Sequence, residues 1–203
     1  MDETNTLQNI LNAGMTEFME KGFKSASLRN IVRNAGVTTG AFYGYYASKE
    51  ELFDALVGEP ADYFMKEYKK VQYDFKKLSP AEQEENMGKE SGDWMLWITD
   101  YIYEHLDAFQ LIISHSEGTK YEHFIHEMVE IEVEATHDFI TVMRGRGKNL
   151  RHIDPQLEHI LVSGMFTAFF EVVVHNMPKE QAKEYINELK EFQTAGWIKI
   201  MGL

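Results

Sequence analysis

Residues 27–56 read SLRNIVRNAGVTTGAFYGYYASKEELFDAL, and this stretch decides the fold. Ser27 stands where it can cap a short helix, which Gly36 ends, and Thr38 stands where it can cap a second one. Ser48, with a glutamate three residues later, has the spacing of a capping box that opens a longer helix. Two short helices joined through a glycine turn are what a helix-turn-helix requires.

Helical periodicity continues on both sides of this stretch. Gly58 and Pro60 interrupt the longer helix, which we expect to kink or to restart there. Apolar residues then recur at helical spacing along most of the chain, and no segment alternates with the period of a strand. The sequence therefore predicts an all-α fold of about nine helices, with one domain over residues 1–57 and a second over residues 58–203.

Composition narrows the class of protein. The net charge is -13, but residues 1–57 hold five basic against seven acidic side chains, so nearly all of the excess negative charge lies beyond them. An acidic body argues against wrapping of nucleic acid, while leaving room for a local contact by the first domain. The absence of cysteine excludes disulfides and thiolate chemistry. The polar N-terminus is unlike a signal peptide, and the apolar run 160–174 is 15 residues long, short of the roughly 20 that span a bilayer, so we expect a cytoplasmic protein.

The stretch resembles the N-terminal domain of the TetR family of transcriptional repressors. The resemblance covers roughly residues 7–57 and rests on the Ala-Gly-Val turn at 35–37, the aromatic cluster at 42–46 and the Ser-Lys-Glu element at 48–50. The closing segment, EFQTAGWIKIMG at 191–202, is similar to the last helix of many members. The resemblance implies a homodimer that places two recognition helices in successive major grooves of a palindromic operator in double-stranded DNA. It also implies a C-terminal bundle that binds a small molecule.

The resemblance assigns DNA contacts to residues of the motif. Tyr43, Tyr45 and Lys49 match positions that the family uses on the DNA backbone, where hydroxyl and ammonium groups bind phosphate. The predicted contact residues are Ser27, Arg29, Thr38, Thr39, Gly40, Ala41, Tyr43, Tyr45 and Lys49. Arg29 could read a guanine edge, and the helix N-termini favour phosphate. Gly44 falls inside the predicted recognition helix, where it removes a possible base contact.

An apolar pocket is predicted in the second domain. Its candidate lining residues are Trp94, Trp97, Tyr101, Phe109, His115, Phe124, Phe139, Met143, Phe166 and Phe169. Each of these residues has an alternative interpretation, because aromatic residues and methionines at helical spacing also form ordinary hydrophobic cores. As a group they favour an apolar or aromatic ligand.

The last two helices are the predicted dimer surface. Their candidate interface residues are Leu161, Met165, Ala168, Ala182, Tyr185, Ile186, Leu189, Phe192 and Gly196. Two such helices from each subunit would form a four-helix interface, and the alternative is burial within one subunit.

Little in the sequence supports a metal site or a catalytic site. His123, Glu127, Glu130, Glu134 and His137 form one polar stripe on a helix, which could hold a metal with a partner helix but is also how a solvated face looks. No catalytic or phosphate-loop motif is present, so we expect neither an enzyme nor a cofactor or resident metal. The predicted function is a repressor released by a small molecule. The alternative is a helical binding or interaction protein that has lost sequence-specific DNA reading.

Overall fold

The computed structural model describes residues 3–203, with the side chains of residues 3, 4, 90 and 91 left out of the description. Over this range the chain forms ten helices and no strand. They are α1 Glu3–Ser25, α2 Leu28–Asn34, α3 Thr39–Tyr43, α4 Lys49–Lys77, α5 Pro80–Glu85, α6 Lys89–Glu104, α7 Leu106–Ser114, α8 Phe124–Gly145, α9 Pro155–Val174 and α10 Lys179–Met201. The predicted all-α class is confirmed, with a helix count close to the predicted nine.

The helices group into two compact units. The first contains the chain up to Tyr63 together with His105–Phe124, and the second contains Phe64–Glu104 and Ile125–Leu203. This division differs from the predicted boundary at residue 57, because α7 and the turn after it pack with the N-terminal helices. The backbone shows the attachment directly, since the Phe23 N–H donates to the His115 carbonyl over 2.8 Å. Periodicity marks where helices lie but not which of them pack together.

Three phenylalanine rings form the centre of the first unit. The Phe53 ring meets the Phe18 ring edge-on with centroids 5.2 Å apart, and it meets the Phe23 ring in the same way at 5.3 Å. Ile31 from α2 and Phe42 from α3 are fully buried beside the helices that carry this cluster. Edge-to-face pairs add to the stabilisation from burial, so the two short helices are fixed by packing rather than by their own length.

α4 passes through the predicted interruption as one helix. Pro60 lies inside the helix, where its ring removes one backbone hydrogen bond at a cost of about 3 kcal/mol or more. Val57, Ala61 and Phe64 are buried on one side of the same segment. Burial of these side chains offsets the lost bond, so the restart expected at Gly58 and Pro60 does not occur.

α9 is the central helix of the second unit. Phe166, Phe169 and Phe170 are buried along it, and Asp154 caps it by accepting from the Gln156 and Leu157 N–H groups, as the Asp-Pro pair predicts. Among the described residues α9 is the one helix long and apolar enough to cross a membrane, at 20 residues rather than the 15 of the apolar run. Less than half of this apolar stretch, 44%, is buried inside the chain.

Candidate functional site

The turn between α2 and α3 depends on a glycine. Gly36 has a φ of 67°, a conformation that a β-carbon resists, although a β-carbon placed there would meet nothing within 4 Å. The Gly36 and Val37 N–H groups donate to the Arg33 and Val32 carbonyls at 3.2 Å, which closes the end of α2. The residue type is therefore required by the backbone and not by lack of space.

Hydroxyl groups cover the start of α3. The Thr38 side chain accepts from the Ala41 N–H over 3.1 Å, as its predicted capping role requires. Thr38, Thr39 and Gly40 are exposed, and Ala41 is half-buried. Because Phe42 is fully buried behind them, this face of α3 is turned outward by the packing of its opposite side.

The three tyrosines of the stretch divide by exposure. Tyr43 is 54% exposed and Tyr45 is 37% exposed, whereas Tyr46 is half-buried beside Phe42, and its burial raises the pKa of the phenol. α3 ends at Tyr43, and Gly44 is its C-cap with a φ of -75°. The prediction that Gly44 lies inside the recognition helix is thus wrong, because the helix is only five residues long and the cost of an interior glycine does not arise.

Two arginines on α2 offer positive charge to solvent. Arg29 was predicted as a contact, and Arg33 was missed, although it stands four residues later and so on the same side of the helix. Both side chains are exposed, and within residues 3–203 neither takes part in an ion pair. The i to i+4 spacing was the signal that could have found Arg33.

Lys49 has a different role from the one predicted for it. Its ammonium donates to the Phe23 carbonyl over 2.6 Å and to the Ala26 carbonyl over 3.0 Å, and it lies 4.3 Å above the centre of the Phe23 ring. The side chain therefore satisfies carbonyls at the end of α1 and holds α4 against it. These bonds would have to be shared or broken for Lys49 to reach a phosphate.

A buried carboxylate on α1 holds the start of α2, where the Ser27 side chain was expected to act as the cap. The Ser27 side chain makes no capping bond, while Oε1 of Glu17 accepts from the Ser27 N–H over 3.0 Å and from the Asn30 amide over 3.2 Å. Glu17 is only 5% exposed. Ser27 thus keeps its hydroxyl available, and Glu17 fixes the start of α2.

Comparison with known proteins reaches the same segment. A family model described as "Bacterial regulatory proteins, tetR family" matches residues 10–56. Residues 10–56 belong to the tetR family. The N-terminal part of the chain is 31% identical over 62 residues to the HTH-type transcriptional repressor KstR2 of Mycobacterium tuberculosis, covering 30% of this chain and 31% of that protein. It is 38% identical over 52 residues to the HTH-type transcriptional regulator UidR of Escherichia coli strain K12, covering 26% of each. The match thus spans about a third or less of the length of these curated relatives.

The fold has counterparts among solved structures of transcriptional regulators. SCO3833 of Streptomyces coelicolor A3, a member of the TetR transcriptional regulator family, matches with a TM-score of 0.57 at 14% identity, over 92% of this chain and 90% of that one. The transcriptional regulator FadR of Bacillus subtilis, solved in complex with stearoyl-CoA, matches with a TM-score of 0.54 at 15% identity, over 94% and 98%. At such identities the likeness establishes the fold of the chain.

A cavity that is partly open to solvent lies in the second unit of the chain. It runs among α4, α6, α8 and α10, and its apolar wall includes Phe75, Met95, Phe139, Trp197 and Met201.

Of the ten residues predicted to line a pocket, only Phe139 lines this cavity. Phe109, His115 and Phe124 belong to the first unit, while Trp94, Met143, Phe166 and Phe169 are buried core residues of the second. Trp97 is 48% exposed and Tyr101 half-buried, and neither lines the cavity. The alternative given for these residues, ordinary core, therefore describes most of them.

One carboxyl group stands in the cavity wall. Oε2 of Glu132 accepts from the Tyr68 hydroxyl and the Gln72 amide, both over 2.7 Å. Burial raises the pKa of Glu132, and the two hydrogen bonds act in the opposite direction. The other charged group of the wall, Lys190, is paired with Asp93 at 2.6 Å. Glu132 is thus the charged group of the cavity that has no cationic partner among the described residues.

α9 and α10 carry an exposed apolar face. Ile160 is 64% exposed and Phe192 is 73% exposed, and Leu157, Val174, Tyr185 and Ile198 are also exposed at 36–45%. Three of the predicted interface residues, Met165, Ala182 and Ile186, are instead buried within the chain. Tyr185, Phe192 and Gly196 are exposed, while Leu161, Ala168 and Leu189 are half-buried. Ile160 was missed because the predicted interface residues of α9 lie on a side of the helix that is closer to the core.

The predicted histidine and glutamate stripe on α8 separates into unrelated pairs. Glu127 pairs with Lys69 at 2.7 Å, and His137 meets the buried Glu158 of α9 at 2.6 Å. Glu130 lies 3.7 Å from His159 of α9. The five residues therefore do not form one site.

Proposed function

We propose that the chain is a homodimeric, cytoplasmic transcriptional regulator that represses by binding a palindromic duplex and is released by a small apolar ligand. The observation that carries this proposal is the outer face of the helix-turn-helix. There, α3 exposes its threonines and Tyr43, and α2 exposes Arg29 and Arg33, neither of which is neutralised by an ion pair within the described chain. Hydroxyl and guanidinium groups on such a face bind phosphate and base edges.

The exposed apolar face of α9 and α10 supports the dimer. Ile160 and Phe192 are 64% and 73% exposed, and exposure of such large apolar side chains to water costs free energy in a monomer. Exposed apolar patches of this kind mark surfaces that a partner covers. A two-fold axis through this face would pair each helix with its copy in a four-helix interface. The dimer then carries two motifs, which suits a palindromic operator.

DNA binding can be tested by selection of duplexes from a random pool, followed by titration with the winning sequence. Tyr43→Phe should weaken binding about five- to tenfold, because it removes one hydroxyl that binds phosphate. Tyr73→Phe is the matched control, because Tyr73 is 58% exposed and lies on the second unit. Arg33→Ala should weaken binding to all sequences and reduce the salt slope by about 1 for each phosphate that the variant no longer neutralises.

Two results would contradict this assignment. If Tyr43→Phe and Arg33→Ala both bind the selected duplex as wild type does, these residues do not touch the DNA. If no duplex is enriched by the wild-type protein, the alternative of a helical binding protein without DNA reading is favoured.

The cavity favours a ligand that joins an apolar body to a hydrogen-bond donor. Phe75, Phe139 and Trp197 offer apolar surface, and Oε1 of Glu132 receives no hydrogen bond from the described residues. A protonated amine at this carboxyl would supply the missing cation, whereas a carboxylate would be repelled.

Three probes with the same decyl chain separate these possibilities. We expect decylamine to bind more tightly than decanol, and decanol more tightly than decanoate, in calorimetric titrations. Glu132→Gln should remove the advantage of the amine and leave the alcohol nearly unchanged, since the shape of the side chain is kept. Tightest binding of decanoate would refute the donor requirement but not the regulatory function.

A further inference from the structure

Two histidines and a glutamate meet on the surface of the second unit. His126 and Glu130 are one turn apart on α8 and therefore share a side of the helix, and His159 faces them from α9. One ligand atom from each residue can be chosen so that all three lie within 4.8 Å of one another. Nδ1 of His159 is 3.7 Å from Oε1 of Glu130, and the His126 and His159 ring centres are 6.2 Å apart.

We propose that His126, Glu130 and His159 form a binding site for a divalent transition-metal ion of the zinc class. Two imidazoles and one carboxylate are the ligand set that proteins use for Zn²⁺ when a fourth position is left to water. Imidazole nitrogen suits zinc, nickel and copper, and it disfavours Mg²⁺ and Ca²⁺, which take oxygen ligands.

Only side-chain movement is needed to bring the three ligand atoms to metal-binding distances. Ligand atoms about 2.0–2.1 Å from a tetrahedral ion lie roughly 3.3 Å from one another, so the present separations must close by about 1.5 Å or less. The His159 and Glu130 side chains are 46% and 60% exposed, so both can rotate without disturbing the core. α8 and α9 already meet through His137 and Glu158, which are 2.6 Å apart.

The surroundings favour a cation. The chain carries a net charge of -13, and nearly all of the excess lies in the part that contains this cluster. Glu127 and Glu134 are exposed on the same helix, one turn to either side of Glu130. Negative potential at an exposed site raises the local concentration of a divalent ion.

Occupation of the site would link α8 to α9. The three ligands lie close together only in the folded chain, so the ion binds the folded chain and not the unfolded one. Binding to the folded state alone raises stability by mass action, so zinc at about one hundred times its dissociation constant should raise the midpoint of thermal unfolding by about 5–11 °C.

Calorimetric titration of the full-length protein with Zn²⁺, with no DNA present, tests the site directly. We expect one ion per chain with a dissociation constant in the micromolar range and no heat with Mg²⁺. His126→Ala and His159→Ala should each weaken binding at least tenfold and remove the thermal shift. His152→Ala is the matched control, because His152 is an exposed histidine of the loop before α9 that is not part of the cluster.

Two outcomes would overturn the proposal. One is the absence of saturable zinc binding by the wild-type protein. The other is unchanged zinc affinity in both cluster variants, which would place any bound zinc elsewhere. Because the readout is metal binding, either outcome leaves the proposed regulatory function to its own test.

Discussion

Glu17 offers a sharp test of how the helix-turn-helix is held in place. Its buried carboxylate accepts from the Ser27 N–H and from the Asn30 amide, at 3.0 and 3.2 Å. Glu17→Ala removes this acceptor from both groups and leaves the N–H of Ser27, the N-cap of α2, without a partner. A hydrogen bond to a charged group contributes about 1.5–3 kcal/mol, and the longer of these two should lie at the low end.

The expected loss of unfolding free energy is therefore about 3 kcal/mol. For a chain of this size each kcal/mol lowers the midpoint of thermal unfolding by about 2–4 °C, which gives a fall of about 6–12 °C. Glu20→Ala is the matched control, since Glu20 lies on the same helix, carries the same charge and is exposed. Ser27→Ala should change the midpoint little, because the Ser27 hydroxyl makes no capping bond.

Thermal unfolding followed by circular dichroism measures the global effect, and amide exchange at residues 27–30 locates it. We expect faster exchange at the start of α2 in Glu17→Ala and unchanged exchange in Glu20→Ala. If Glu17→Ala unfolds at the same temperature as Glu20→Ala, the carboxylate does not cap α2. If Ser27→Ala is the more damaging change, the hydroxyl is the cap after all, as its position in the sequence suggests.

Three other predictions concern backbone, cavity and dimer. Gly36→Ala should lower the free energy of unfolding in urea by about 1–2 kcal/mol, because Gly36 has a φ of 67°. Gly40→Ala within α3 should not be destabilising, and equal losses in the two variants would show that the turn does not require a glycine at position 36. Since burial raises the pKa of Glu132, the unfolded chain loses this proton at a lower pH than the folded chain does, so stability should fall as pH rises above the ordinary glutamate value. Glu132→Gln should remove this loss of stability between about pH 5 and pH 8. If the free energies of unfolding of the variant and the wild type differ by the same amount at the two pH values, the pKa of Glu132 does not influence stability. Phe192→Ser should turn a dimer into a monomer in light scattering at micromolar concentration, and a dimer that survives this change would place the interface elsewhere.

Local chemistry made the helix-turn-helix predictable. The turn needs a residue that tolerates positive φ, and Gly36 supplies it; the N-cap of α3 needs a side-chain acceptor, and Thr38 supplies it. Both requirements act within about four residues of sequence, so pattern alone exposes them. The capping by Glu17 joins residues ten positions apart through tertiary structure, and no local pattern signals it.

The cavity could not be predicted for a related reason. Helical periodicity identifies the buried face of a helix, but a cavity exists where buried faces fail to fill the space between them. Phe166 and Phe169 fit the apolar pattern as well as Phe139 does, yet they pack tightly and only Phe139 borders empty space. The polar wall residues Gln72 and Glu132 carried no signal of their own.

Ion pairing explains how an acidic chain can present a positive surface to DNA. Six lysines of the second unit are paired with carboxylates, namely Lys69, Lys76, Lys148, Lys179, Lys183 and Lys190. Such exposed pairs add little stability, but each one neutralises a cation locally. Arg29 and Arg33 have no such partner in the described chain, so their positive charge remains available on α2. A chain with this acidic balance should attract DNA weakly at other sites, and binding at the operator then depends on the fit of α2 and α3 to the groove more than on total charge.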